Sequence, residues 1–150
     1  MKVNIISLKG FTPQQENTIK LAWGIMDTVL NHDFFRHRLL QEKMSETKGL
    51  TPQEVWETIT GGDWNIHVVG YRPWHWWSKV VGYFSGGDKI FINTRKMGSP
   101  LSVASLLVHE NSHRLGFHHR FHWYSSVPYT LNRVFEFTHM ALLSEGERRR

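Results

Sequence analysis

Apolar residues fall at helical spacing in the first third of the chain and gather into strand-like runs in the middle. The opening, Met1-Lys2-Val3-Asn4-Ile5-Ile6-Ser7-Leu8-Lys9-Gly10, has an apolar run too short for the core of a signal peptide and predicts a first strand. Thr12-Pro13-Gln14-Gln15 has the form of a capping box with proline at the first helical position. Ile19, Ala22, Trp23, Ile25, Met26, Val29 and Leu30 extend it as a long helical stripe. That helix is expected to run on, bent or broken at Asn31-His32-Asp33, through Phe34, Phe35, Leu39 and Leu40. A second box, Thr51-Pro52-Gln53-Glu54, opens a short helix containing Val55, Trp56 and Ile59, and Gly61-Gly62 stops it.

Residues 64–69, 79–84 and 89–93 read as strands, the last two joined into a hairpin by Ser85-Gly86-Gly87-Asp88. Ser99-Pro100 supplies a cap and a proline for a helix that begins Leu101-Ser102-Val103-Ala104-Ser105-Leu106-Leu107-Val108. Leu131, Val134, Phe135, Phe137, Met140, Ala141 and Leu142 predict a closing helix. This order predicts an α+β protein, with residues 1–150 forming one domain large enough to bury a core. Hydrophobic content of 40%, with seven tryptophans and nine phenylalanines, argues against disorder. No stretch approaches the length of a membrane span. With neither span nor signal peptide, the expected location is the cytoplasm, or release by a non-classical route.

Charge and cysteine content narrow the partners. A net charge of +5 permits attraction to acidic partners, including nucleic acid or an anionic cell envelope. Part of the excess lies in Arg148-Arg149-Arg150, expected as a solvated, frayed terminus. A nucleic-acid binder needs a clustered basic face for phosphate contacts and stacking. The remaining Lys and Arg are scattered, so that class ranks last. The chain has no cysteine, which excludes disulfides and thiolate metal ligands.

The chemistry concentrates in His109-Glu110-Asn111-Ser112-His113-Arg114-Leu115-Gly116-Phe117-His118-His119, which fits HExxHxxGxxH at every fixed position. On a helix His109 and His113 lie one turn apart and project from one face, so both can bind one metal ion. Glu110 is rotated from His109 by about 100° of helical turn, close enough to reach a water on that metal. Gly116 can take a positive φ, end the helix and turn the chain back. His119 then comes round as a third ligand. Three neutral imidazoles with one open position describe a catalytic zinc rather than a closed structural one.

This extended motif resembles the signature of the metzincin clan of zinc endopeptidases. The clan also carries a methionine-centred turn beneath the zinc. Ser125-Ser126-Val127-Pro128-Tyr129 is similar to its astacin-like and serralysin-like form, Ser-x-Met-x-Tyr, with Val127 in place of the methionine. The methionine is not a ligand, and a branched aliphatic side chain can fill its space. The resemblance implies a zincin-type fold, a twisted mixed sheet over an active-site helix, with a long N-terminal helix and a C-terminal helix. It implies a zinc cofactor held by His109, His113 and His119, Glu110 as general base, and hydrolysis of a protein or peptide substrate. Tyr129 matches a tyrosine that binds the metal or donates to the transition-state oxyanion; the alternative is a turn tyrosine packed on the core. An extended peptide would lie antiparallel to the edge strand, expected at residues 78–84, with 89–93 as its inner partner. The pocket beyond the scissile bond would lie between the active-site helix and residues 124–130. Because the histidines bind zinc only when neutral, activity is expected to fail below about pH 6. A latency device based on cysteine is excluded.

Other residues compete for attention. His118 precedes the third ligand, but the clan's fixed spacing favours His119. His122 and His139 read as ordinary surface or core histidines. Trp74-His75-Trp76-Trp77 is either a substrate platform or packing, and tryptophans more often pack. The alternative to a peptidase is a zinc-binding but non-proteolytic module of the same fold, such as an envelope or tail component; Val127 and the small size leave room for it.

Overall fold

Parallel neighbours cannot be joined by a tight turn: a helical crossover separates the first two strands, and an antiparallel edge strand lies in sequence between the second and its other parallel neighbour. In the computed structural model, which describes residues 1–75 and 77–149, β1 (Val3–Lys9) is followed by α1 (Pro13–Leu30), α2 (Asp33–Leu40) and α3 (Pro52–Thr60) before β2 (Trp64–Tyr71). The chain then forms β3 (Gly82–Phe84), β4 (Lys89–Asn93), α4 (Pro100–Arg114) and α5 (Val127–Arg148). Strand order is β1-β2-β4-β3. β1, β2 and β4 run parallel, and β3 lies antiparallel to β4 at the edge. The architecture is α+β, as the sequence predicts: a small mixed sheet with helices packed on it.

Local signals account for most element boundaries. Thr12 and Thr51 both form complete capping boxes, with Gln15 and Glu54 reaching back to the cap. The long first helix breaks at the expected place. Asn31 closes α1, and the His32 side chain accepts from the Phe34 N–H at 3.1 Å to start α2. Ser99 caps α4 by accepting from the Ser102 N–H at 3.2 Å.

Helices cover one face of the sheet. Trp64, Ile66 and Val68 alternate inward along β2, joined by Ile90 and Ile92 of β4, and all five are buried. The other face carries a polar ladder. Ser7 Oγ lies 2.6 Å from His67 Nδ1, and His67 Nε2 lies 3.1 Å from an Asp88 carboxylate oxygen. α4 runs through the middle of the helical layer, packed on α1 and α5 and crossed by β3. From Val103 to Ser112 only Leu106 is not fully buried.

Three expectations need correction. The strand expected at 79–84 is regular only from Gly82. Val80 and Val81 are exposed, and Asn93 takes both their carbonyls, through its side chain at 2.9 Å and its backbone N–H at 2.8 Å. The closing helix begins at Val127 rather than near Leu131, because Ser126 and Pro128 serve as helix cap and first-turn proline instead of a free turn. Packing was expected for the tryptophan cluster, yet Trp74 and Trp77 are exposed and meet edge-on at 5.7 Å; Trp76 lies outside the described residues. Among the described residues no helix is long and apolar enough to cross a membrane.

Because Leu107 is fully buried on α4, Leu107→Ala should cost about 2–5 kcal/mol of stability in chemical denaturation. A loss below about 1 kcal/mol would mean that α4 is not seated in the core as described.

Candidate metal centre

A buried helix end sets the site. Three bonds terminate α4: Leu115 N–H to Asn111 O at 3.1 Å, Gly116 N–H to His113 O at 2.9 Å, and Phe117 N–H to Ser112 O at 3.0 Å. The last two form a Schellman motif, with Gly116 at φ 98° as its left-handed residue. Phe117 tucks under the helix and is 1% exposed. The Phe117 carbonyl lies 2.8 Å from His113 Nδ1, so that nitrogen donates and leaves Nε2 as the free donor atom for a metal.

The reversal brings His119 back over the helix. His109, His113 and His119 each offer a ring nitrogen, and these atoms lie within 4.8 Å of one another. Ring centroids are separated by 4.8 to 5.3 Å. Tyr129, in the first turn of α5, packs edge-on against His109 at 4.7 Å and His119 at 5.0 Å, backed by Trp123 at 5.0 Å. His118 is exposed and stacks on His113 at 5.9 Å, outside the three-ring cluster. His122 is exposed on the loop, and His139 lies on α5 in a groove against α1.

Burial biases His109, Glu110 and His113 toward their neutral forms. Desolvation, helped by the neighbouring His113 and His119, lowers the His109 pKa to about 4 against a weaker opposing pull from Asn132. Desolvation lowers His113 also, opposed by its bond to Phe117. Glu110, 7% exposed, is pushed by desolvation up to about 7, although the Phe84 N–H of β3 hydrogen-bonds to it. His109 and His113 are therefore neutral at neutral pH, the state in which imidazole binds metal. This donor set fits zinc: three imidazoles, with an open side. That side is a cleft of about 440 Å³ between Gly82, Tyr83 and Phe84 of β3 and Glu110, His113, His118, His119 and Arg120.

The five residues expected to form the site, His109, Glu110, His113, His119 and Tyr129, are thus brought together. Two further contributors escaped the sequence reading. Asn132 lies one turn beyond Tyr129 and raises the His109 pKa slightly against the dominant desolvation; His109 Nδ1 and Asn132 Oδ1 are both buried without a hydrogen-bond partner. Its i+3 relation to Tyr129 becomes visible only once α5 is known to start at Val127. Glu46, between α2 and α3, binds the backbone just after His119. Nothing in the periodicity around it signals this. The chain matches no family model, no curated protein and no solved structure.

The shifts give the metal-free protein a definite pH response. His109 and His113 gain protons on unfolding below about pH 6.5, so their contribution to stability is lost as pH falls toward their depressed folded values. Glu110 opposes this, because the folded state binds its proton more tightly from about 7 down to its ordinary value. Removing the opposing carboxyl exposes the histidine contribution: metal-free Glu110→Gln should melt at lower temperature at pH 5 than at pH 7 by calorimetry, and an equal or higher melting temperature at pH 5 in that variant would contradict the burial of His109 and His113.

Proposed function

We propose that the chain is a zinc-dependent endopeptidase of metzincin type, a hydrolase that acts on protein or peptide substrates. One observation carries the reading: three imidazoles converge beside an open cleft that His113, His119 and the buried Glu110 carboxyl line. The α+β order supports it, with the histidine-bearing helix below a mixed sheet whose antiparallel edge strand borders the cleft.

Zinc bound there would lower the pKa of a bound water to about 7 and polarise a peptide carbonyl. Glu110 accepts the proton of the attacking water and delivers it to the leaving amine; a carboxyl poised near 7 suits both transfers. Tyr129, held between the two outer histidines and Trp123, supplies a phenol to the developing oxyanion. An extended peptide adds to β3 as a further antiparallel strand, with the pocket beyond the scissile bond between α4 and residues 124–130.

Two variants separate these roles. Glu110→Ala should keep its zinc while turnover of a peptide library falls by about 10²–10⁴-fold; loss of zinc in this variant would remove Glu110 from the role of base. Tyr129→Phe should lower kcat by about 10²-fold with zinc content unchanged, and an unaltered kcat would return Tyr129 to simple packing. Wild-type turnover should vanish with chelator and return with zinc. Stoichiometric zinc without turnover of any unstructured protein would favour the non-proteolytic module instead.

A further inference from the structure

The segment joining α2 to α3 grips the loop that carries His119. One Glu46 carboxylate oxygen accepts from the backbone N–H of Arg120 at 2.7 Å and of Phe121 at 3.3 Å, and the other accepts from that of His122 at 3.4 Å. Beside it, the Ser45 N–H donates to Ser125 O at 2.8 Å, and Ser45 Oγ lies 2.7 Å from Ser125 Oγ and 3.3 Å from His122 O. Lys48 reaches over the Gly116 turn, its Nζ close enough that a Cβ on that residue would clash with it. The segment adopts an unusual backbone to do this. Glu46 and Lys48 have φ of 53° and 58°, a left-handed region that residues with a Cβ rarely occupy. Such conformations persist where their surroundings over-determine them, often at functional sites.

The loop depends on this grip. The side chains of His118, Arg120, Phe121 and His122 are exposed, so packing contributes little to its shape. Three successive N–H groups point at one carboxylate, and the Arg120 bond at 2.7 Å has the length of a strong charge-assisted bond.

We propose that Glu46 is the positioning residue of the third metal ligand: by binding the three backbone N–H groups that follow His119, it keeps that imidazole aimed at His109 and His113. The inference rests on the zinc-site reading above. Glu46 touches neither metal nor substrate, and it acts only through the loop.

The test measures zinc affinity by competition with a chromophoric chelator in the full chain, for wild type, Glu46→Ala and Glu46→Gln. The melting temperature of each metal-free protein is recorded alongside. Glu46→Ala should raise the zinc dissociation constant by about 10–100-fold, the range for loss of an outer-shell partner. Glu46→Gln, which keeps the size and one acceptor oxygen, should show a smaller rise. The Co(II) absorption spectrum of Glu46→Ala should change in shape. In a His119→Ala background, Glu46→Ala should have no further effect on affinity, because the ligand it serves is gone. A folded Glu46→Ala or Glu46→Gln with affinity within about twofold of wild type overturns the proposal, as does a lowered melting temperature with affinity intact. Should Glu46→Ala fail to fold, Glu46→Gln decides alone. A wild-type chain that takes up no zinc refutes the metal-site reading itself; normal uptake with indifferent Glu46 variants refutes only this inference.

Discussion

A single chain reversal makes a three-imidazole site possible. His109 and His113 sit together because a helix places residues four apart on one face. Nothing in helical geometry brings His119 to them. That requires the helix to stop at Arg114 and the chain to turn sharply, which the two Schellman hydrogen bonds and the positive φ of Gly116 accomplish. Phe117 anchors the turn by burying its ring, and its carbonyl orients His113. Gly116 and Phe117 together therefore end the helix, anchor the loop and set the tautomer of His113.

The reversal is useful because α4 is buried along most of its length. An exposed helix carrying the same histidines would leave them solvated and titrating in the ordinary range. Seated between α1 and α5, with β3 across its face, α4 holds His109 and Glu110 where water is scarce. Desolvation then drives His109 and His113 on one side and the Glu110 carboxyl on the other in opposite pKa directions, both toward neutrality. A bound divalent cation would find these two imidazoles already neutral and a carboxyl close to the proton-transfer range.

Much of this was legible in the residues. Capping boxes at Thr12 and Thr51, the serine-proline start of α4 and the glycine that ends it all mark boundaries through local hydrogen bonding, which a sequence displays directly. The convergence of His109, His113 and His119 was legible for the same reason, since their spacing is a property of one helix and one turn. What stayed hidden depends on contacts between distant segments. Val80 and Val81 look like strand residues, but at the sheet's edge their carbonyls are taken by Asn93 in an irregular pairing. Ser126-Val127-Pro128 carries helix-start chemistry, yet likeness to a known turn concealed it, and Asn132 with it. Glu46 is separated from Arg120 by 74 positions, and no local pattern can announce such a contact.

X-ray absorption at the zinc edge, on wild type and His119→Ala loaded with one equivalent of zinc, tests the central claim most directly. Three imidazole nitrogens at about 2.0–2.1 Å in the wild type, reduced to two in the variant, are the expected result. A zinc environment that is identical in both proteins, or that lacks imidazole scattering, would contradict a site built by folding His119 back onto α4.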